Sequence, residues 1–131
     1  MKQLPAQQLE QLSKQLRARQ QQLRDDIRAE LAKADNEGYA ELAGRVHDTA
    51  EESVADLLVD VELAIIDRHV GELRDVEGAL QRIKQGGYGF CAACGEQIPF
   101  ARLSSYPQAA QCIRCQEHTE KTTAQQNRPR L

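Results

Sequence analysis

Apolar residues recur at helical spacing through the first quarter of the chain. The surrounding residues are mostly Gln, Arg and Glu, and Gln20 occupies the one weak turn of an apolar stripe formed by Leu9, Leu12, Leu16, Leu23, Ile27 and Leu31. So narrow a stripe is typical of a coiled-coil helix, and Pro5 suits the first turn of such a helix. The pattern predicts one amphipathic helix from residue 5 to about residue 34.

A second and stronger helical pattern runs from about residue 50 to residue 85. Its apolar stripe consists of Val54, Leu58, Val61, Ile65, Ile66, Val70, Leu73, Val76, Leu80 and Ile83. At 1.5 Å per residue, the predicted helix is about 50 Å long. Arg82 and Lys84 favour its C-terminal end, and Gly86 with Gly87 ends it.

The stretch between these two patterns, residues 35 to 50, is less regular. Thr49 with Glu52, or Asp48 with Glu51, fits the capping box of a helix start. Two long amphipathic helices joined by a turn pack antiparallel along their stripes. The sequence therefore predicts a mainly α fold: an antiparallel helical hairpin (coiled coil) over residues 5–86, with its tip near residues 44–53.

Composition and charge support an elongated fold. Aromatic residues make up 4% of the 131 residues, Trp is absent, and the formal net charge is −3. A narrow helical seam needs fewer large apolar side chains than a compact core, and the acidic balance disfavours a general nucleic-acid binder. No apolar run reaches the roughly 18 residues of a membrane helix, and no stretch is typical of a signal peptide. We expect a cytoplasmic protein without a membrane partner.

The chain contains two C-x-x-C pairs, which include all of its cysteines. Seventeen residues separate Cys94 from Cys112, and the ligand set is Cys91, Cys94, Cys112 and Cys115. This spacing is typical of a four-cysteine zinc site, because two facing knuckles complete a tetrahedron around the metal. Disulfides suit a secreted chain, and a redox C-x-x-C needs a βαβ pattern that is absent here.

Four cysteine ligands leave no open coordination position, so the predicted zinc is single and structural. We expect a zinc module over residues 87–118, with Ile98, Phe100 and Leu103 packed beside the metal, and a short helical or frayed tail over residues 119–131. The histidines at positions 47, 69 and 118 are scattered, and no nucleophile–base constellation is present. An enzyme is therefore not expected.

The motifs Tyr-Gly-x-Cys-x-x-Cys-Gly, Ile-Pro-x-x-Arg-Leu and Cys-x-x-Cys resemble the DksA/TraR family of bacterial transcription factors. The matching residues are Tyr88, Gly89, Cys91, Cys94, Gly95, Ile98, Pro99, Arg102, Leu103, Pro107, Cys112 and Cys115. The resemblance implies a factor that binds bacterial RNA polymerase directly. It implies a coiled coil that enters the secondary channel and an acidic tip near the catalytic centre, without sequence-specific DNA binding.

The tip motif of that family, Asp-x-x-Asp-x-Ala, falls on Asp48, Glu51 and Ser53 in this chain. The first aspartate is kept, whereas the second is a glutamate and the alanine is a serine. The negative charge of the motif is therefore kept, but the shape of its side chains is not. Some family members respond to guanosine tetraphosphate through basic residues. Arg68 is basic, but Asp75, Tyr106 and Gln116 replace basic residues, which predicts a weak or absent response.

Two other functions are compatible with the residues. One is a zinc-ribbon nucleic-acid binder, supported by mildly basic positions in the C-terminal part: Arg102, Arg114, Lys121, Arg128 and Arg130. These charges are scattered and lack interleaved aromatic residues. The other is a thiol-based redox sensor, because oxidation of zinc-bound thiolates ejects the metal.

Overall fold

A computed structural model describes residues 4–33, 37–48, 53–58 and 64–126. Six helices follow one another within these ranges: α1 (Ala6–Lys33), α2 (Glu37–Asp48), α3 (Val54–Leu57), α4 (Ala64–Gln85), α5 (Phe100–Ser105) and α6 (Ile113–Gln126). In these four ranges, the β structure consists of one isolated antiparallel bridge between Phe90 and Gln97. The prediction of a mainly α fold is confirmed.

Helix α1 forms because its sequence places one apolar residue on the same face in almost every turn. The side chains of that face are fully buried: Leu12, Leu16, Leu23, Ile27 and Leu31. At the N-terminal end, the backbone N–H of Leu9 donates to the Pro5 carbonyl at 3.0 Å, and the N–H that proline lacks is not needed there. The predicted helix and its buried stripe are confirmed.

Helix α4 packs antiparallel to α1 and completes the hairpin. Arg19 in the middle of α1 contacts Glu72 in α4, while Leu4 before α1 packs against Gly89 beyond the end of α4. Four apolar residues of α4 are buried in the common core: Ile66, Leu73, Val76 and Ala79. Within the ranges that the structure describes, no helix combines the length and the hydropathy needed to cross a bilayer.

The C-terminal end of α4 is fixed by two glycines, as the sequence predicts. Gly86 has a φ of +84°, a conformation that glycine adopts without steric cost. The N–H of Gly87 donates to the Arg82 carbonyl at 2.9 Å, and the N–H of Gly86 donates to the Ile83 carbonyl at 3.3 Å. This pair of bonds is a Schellman motif, which satisfies the last carbonyls of the helix.

The prediction of one continuous helix from residue 50 to residue 85 is wrong. Helix α3 ends at Leu57, Leu58 lies in a turn, and α4 begins at Ala64. Val54 and Ala55 of α3 are buried, as is Leu58 in the turn after it, and the first turn of α3 is held by a side chain of α4. Local helical propensity has therefore been overridden by tertiary contacts.

Helix α2 packs against α1 and contributes the buried residues Ala43 and Val46 to the same core. Of the predicted hairpin tip, residues 49–52 lie outside the described ranges. The predicted boundaries of the hairpin, zinc module and tail remain predictions, and α6 continues through residue 118.

Candidate metal centre

The four cysteines converge on one point in the finger. Their sulfur atoms all lie within 4.8 Å of one another, and the Sγ atoms of Cys94 and Cys112 are 3.9 Å apart. A tetrahedron with zinc–sulfur bonds of about 2.3 Å has sulfur atoms about 3.8 Å apart. The cluster has the dimensions of a single zinc site.

The first cysteine pair lies in a tight knuckle built on backbone hydrogen bonds. The N–H of Cys91 donates to the Glu96 carbonyl at 2.7 Å, and the N–H of Gly95 donates back to the Cys91 carbonyl at 2.9 Å. Gly95 has a φ of +78°, which a side chain would disfavour. The knuckle therefore requires the glycine that directly follows Cys94.

The second pair lies at the start of α6. Cys112 directly precedes the helix, Cys115 lies in its first turn, and the N–H of Gln116 donates to the Cys112 carbonyl at 2.9 Å. The two knuckles are joined by a bond from the N–H of Ala92 to the Ala110 carbonyl at 2.8 Å. The backbone thus holds the two pairs face to face.

The pKa values of the cysteine thiols are also compatible with a bound cation. Burial opposes ionisation of Cys91, but N–H groups of Cys112, Cys94 and Ala93 point at its sulfur and lower its pKa to about 6. Hydrogen bonding to Cys112 raises the pKa of Cys115 to about 12. Four sulfurs this close cannot all be anionic without a neutralising charge, which a divalent metal supplies.

A small apolar cluster supports the knuckles. Ile98 and Leu103 are buried, and Phe100 at the start of α5 packs against the core that contains them, as the sequence predicts. The Tyr88 hydroxyl donates to the Pro107 carbonyl at 2.7 Å, and burial raises the pKa of Tyr88 to about 12. The finger is thus closed by the metal site on one side and by this cluster on the other.

Glu72 joins the finger to both helices of the hairpin. Arg19 from α1 donates to both carboxylate oxygens, with Nη2 at 2.6 Å from Oε1, and Gln108 from the finger donates to Oε2 at 3.3 Å. The bond from Arg19 lowers the pKa of Glu72 and raises that of Arg19. Sequence reasoning missed this contact, because partners 53 and 36 residues apart leave no local pattern.

Ser53 is the one residue of the predicted acidic tip whose side chain the structure describes. Its Oγ donates to Glu77 Oε1 at 3.2 Å, halfway along α4. Asp48 is the last residue of α2, and its side chain, like the whole of Glu51, lies outside the described part of the chain. Glu77 was not identified from the sequence, where it resembles any solvated carboxylate of a helix. The role of Asp48, Glu51 and Ser53 as a tip remains a prediction.

A helical hairpin and a finger with four convergent cysteines define a hairpin protein with a structural zinc site. Residues 86–121 match the family described as the prokaryotic dksA/traR C4-type zinc finger. With that match, the one structural zinc predicted from the spacing of the cysteines is confirmed.

Comparisons with curated proteins, over half to two thirds of this chain, find DksA among its relatives. The chain is 31% identical over 87 residues to the RNA polymerase-binding transcription factor DksA of Caulobacter vibrioides, covering 66% of this chain and 56% of that protein. It is 37% identical over 67 residues to general stress protein 16O of Bacillus subtilis, covering 51% of this chain and 40% of that protein.

Among solved structures, transcription factor DksA2 from Pseudomonas aeruginosa superposes with a TM-score of 0.58 at 28% identity. The superposition covers 91% of this chain and 88% of that one. The chain is therefore a DksA-like protein, which confirms the resemblance seen in the finger motifs. Its matches span about half the length of the curated relatives.

Proposed function

We propose that this protein binds bacterial RNA polymerase through the secondary channel and regulates transcription without catalysing a reaction. The observation that carries the proposal is the four-cysteine finger fixed to the side of a helical hairpin in a DksA-like chain. Relatives that share this finger are named RNA polymerase-binding transcription factors. The proposed place of action is the cytoplasm, where the polymerase is.

Zinc supplies a structural cross-link between the two knuckles and has no open position for a substrate. The other contacts that fix the finger come from residues of the chain itself. Cys91 and Cys94 belong to the first knuckle, and Cys112 and Cys115 fix the start of α6. Gln108 joins the finger to Glu72 of the hairpin through a hydrogen bond. The finger and hairpin then form one docking surface, which is the proposed contact with polymerase.

The acidic residues before α3 are the proposed effector part of the protein. The resemblance implies that Asp48, Glu51 and Ser53 approach the catalytic centre, where Mg²⁺ and basic substrate-binding groups lie. Carboxylates held near such charges alter the local field strongly, because the channel excludes much of the screening water. We infer that Asp48 is the main contributor, since it keeps the aspartate of the family motif.

The response to guanosine tetraphosphate is proposed to be weak or absent. Arg68, Asp75 and Tyr106 line one groove of about 870 Å³ between α1, α4 and the finger. Asp75 therefore brings a carboxylate into the groove where a basic residue would favour phosphates, and Gln116 is uncharged. Transcription from an rRNA promoter with and without the alarmone tests this, and strong synergy would contradict it.

Insertion into the channel is tested by replacing the active-centre Mg²⁺ of core polymerase with Fe²⁺, which generates hydroxyl radicals locally. We expect backbone cleavage of the bound protein near residues 48–53. The same experiment with Asp48→Asn should give the same cleavage but a weaker effect on transcription. Tight binding without cleavage in this region would contradict insertion through the channel.

A redox function is a second candidate because Cys94 is exposed, so a small oxidant can reach a zinc ligand. Zinc release under mild peroxide tests it, and unchanged zinc content would contradict it.

Nucleic-acid binding gains no comparable support. The Arg102 guanidinium donates to the Gln111 carbonyl at 3.1 Å, and Arg114 pairs with Glu96, so these cations already have partners within the finger.

A further inference from the structure

A groove between α1 and α4 is lined mainly by basic side chains, although the chain as a whole carries a formal net charge of −3. Its volume is about 550 Å³, and we name it the basic groove. The charged residues that line it in the described part of the chain are Arg17, Arg24, Arg74, Lys84 and Glu77. Four cations beside one carboxylate give the groove a positive potential that attracts anions.

Helix geometry explains why the basic groove is separate from the other groove of the hairpin. On α1 its lining residues follow one another at intervals of four, three and four positions, so they share one face of the helix: Ser13, Arg17, Gln20 and Arg24. The groove that contains Arg68 and Asp75 has different lining residues throughout the described ranges. The hairpin thus has two chemically distinct grooves.

Arg17 and Arg74 lie opposite each other across the basic groove. Arg19 of α1 contacts Glu72 of α4, and each of the other two arginines lies two residues from this contact toward the finger. Packed helix axes are about 8–10 Å apart, so both guanidinium groups can reach one anion between them.

These two arginines differ from their neighbour in their partners. Arg19 donates to both carboxylate oxygens of Glu72, whereas Arg17 and Arg74 make no hydrogen bond or ion pair with any residue that the structure describes. Two like charges at one level of a helix pair repel each other. A shared anion would remove this repulsion.

The carboxylate of Glu77 does not neutralise the two arginines, because it is bonded to α3. It accepts hydrogen bonds from the N–H of Val54 at 2.9 Å, from the N–H of Ala55 at 3.1 Å and from the Ser53 hydroxyl at 3.2 Å. Three donors satisfy most of the acceptor capacity of one carboxylate. The positive charge of the basic groove therefore stays available to a ligand.

Gly78 leaves room in the basic groove. Glycine is unfavourable within a helix, and a Cβ at this position would meet only Arg82 Nη1 at 3.5 Å, an ordinary contact distance. Packing against the described residues therefore does not require a glycine here. Gly78 is six residues after Glu72 and Ser13 is six residues before Arg19, so the open space lies at the level of the Ser13 hydroxyl.

We propose that the basic groove binds a small anion with a chain of phosphates, such as inorganic triphosphate or a nucleoside triphosphate, between Arg17 and Arg74. One arginine satisfies both oxygens of a carboxylate, whereas a phosphate chain has enough oxygens for two arginines and a hydroxyl group. The volume of the groove is typical of a small-molecule site. No aromatic side chain of the described residues lines it, so the phosphates and not a stacked base carry the recognition.

The test is calorimetric titration of the zinc-loaded full chain with inorganic triphosphate at 0.1 M salt. We expect one ligand per chain, with affinity about tenfold lower in Arg17→Gln and in Arg74→Gln, because each loses a charged donor. Lys84 lies ten residues beyond Arg74, about 15 Å along α4, so Lys84→Gln should weaken binding only about twofold. The zinc content measured afterwards shows whether the phosphates have left the metal in place.

A matched control is Arg68→Gln, the same change at an exposed cation of α4 that lines the other groove. It should leave the affinity unchanged. Without ligand, Arg17→Gln should have a Tm no lower than that of the wild type, because it removes one of two repelling charges. With triphosphate, the Tm should rise more in the wild type than in this variant.

A second titration uses ATP, which should bind with an affinity within about tenfold of that of triphosphate if the phosphates carry the recognition. Binding of ATP without binding of triphosphate would overturn phosphate recognition. An equal loss of affinity in Arg68→Gln, or tighter binding of a single-stranded RNA oligomer, would show general attraction of polyanions and overturn the site. Absence of triphosphate binding at millimolar concentration would also overturn it. None of these outcomes depends on binding to polymerase.

Discussion

Removing the charge of Glu72 should loosen the finger from the hairpin without affecting zinc binding. In Glu72→Gln the side chain keeps its size, but Arg19 loses a bidentate carboxylate and Gln108 loses a charged acceptor. The four cysteines are not touched, and the knuckle bonds such as Ala92 N–H to the Ala110 carbonyl are independent of Glu72. The change therefore tests the junction alone.

The size of the effect follows from the exposure of the partners. Arg19 and Glu72 side chains are 37% and 29% exposed, which places the pair between a surface ion pair and a buried one. Surface pairs contribute about 0.2–1 kcal/mol, and bidentate geometry with an added hydrogen bond increases this. We expect a loss of about 1.5 kcal/mol, which for a chain of this size lowers Tm by about 5 °C.

Thermal unfolding of the zinc-loaded protein, followed by circular dichroism, measures this loss, and a double-mutant cycle with Arg19→Gln isolates the pair. Glu10→Gln is the matched control, because Glu10 pairs with Lys14 but both side chains are more than 70% exposed. It should cost no more than a few tenths of a kcal/mol. Zinc content should stay at one ion per chain in all variants.

The contribution of Glu72 to the stability of the protein should depend on pH in a defined direction. The bond from Arg19 lowers the pKa of Glu72 below its ordinary value of 4.5, so its contribution is present above that pH and is lost as pH falls through the folded pKa. The difference between wild type and Glu72→Gln should thus stay constant between about pH 7 and about pH 5.5. A coupling energy of zero between Arg19 and Glu72 in the double-mutant cycle would contradict the role of this pair in holding the finger to the hairpin.

Three further changes have expected outcomes. Cys112→Ser should abolish stoichiometric zinc binding, measured by metal analysis, and unfold the finger, because such sites contribute on the order of 10–16 kcal/mol. Tyr88→Phe should lose about 1 kcal/mol by removing the bond to the Pro107 carbonyl, measured by denaturant unfolding. It should also flatten the alkaline profile: the raised pKa of Tyr88 means that wild-type stability is lost as pH rises from about 10 to about 12. Leu23→Ala should cost about 2–5 kcal/mol by leaving a cavity in the α1 interface, visible as a lower midpoint of urea unfolding.

Periodicity and spacing were sufficient for the parts of the fold that depend on local sequence. The stripe of α1 is buried where the spacing of Leu12 and its partners places it, and Gly86 ends α4 because a helix terminus needs a left-handed residue. The cysteine spacing predicted the metal site for a similar reason, since each knuckle is a local structure. These features need no knowledge of distant residues.

The features that sequence reasoning missed all involve partners far apart in the chain. Glu72 and Glu77 are both ordinary helix carboxylates in the sequence, yet one holds the finger and the other holds α3. The same tertiary contact with Glu77 explains why the predicted continuous helix was wrong. No periodic pattern encodes which carboxylate finds a partner 24 or 36 residues away.

The most direct test of the proposed function is equilibrium binding of the zinc-loaded protein to purified bacterial core RNA polymerase, with Cys91→Ser as the paired variant. We expect wild-type binding at or below micromolar concentration and its loss in Cys91→Ser, because the finger that docks the hairpin no longer folds. Asp48→Asn should bind as the wild type does. Absence of wild-type binding at micromolar concentration would contradict the proposal that this DksA-like chain acts on polymerase.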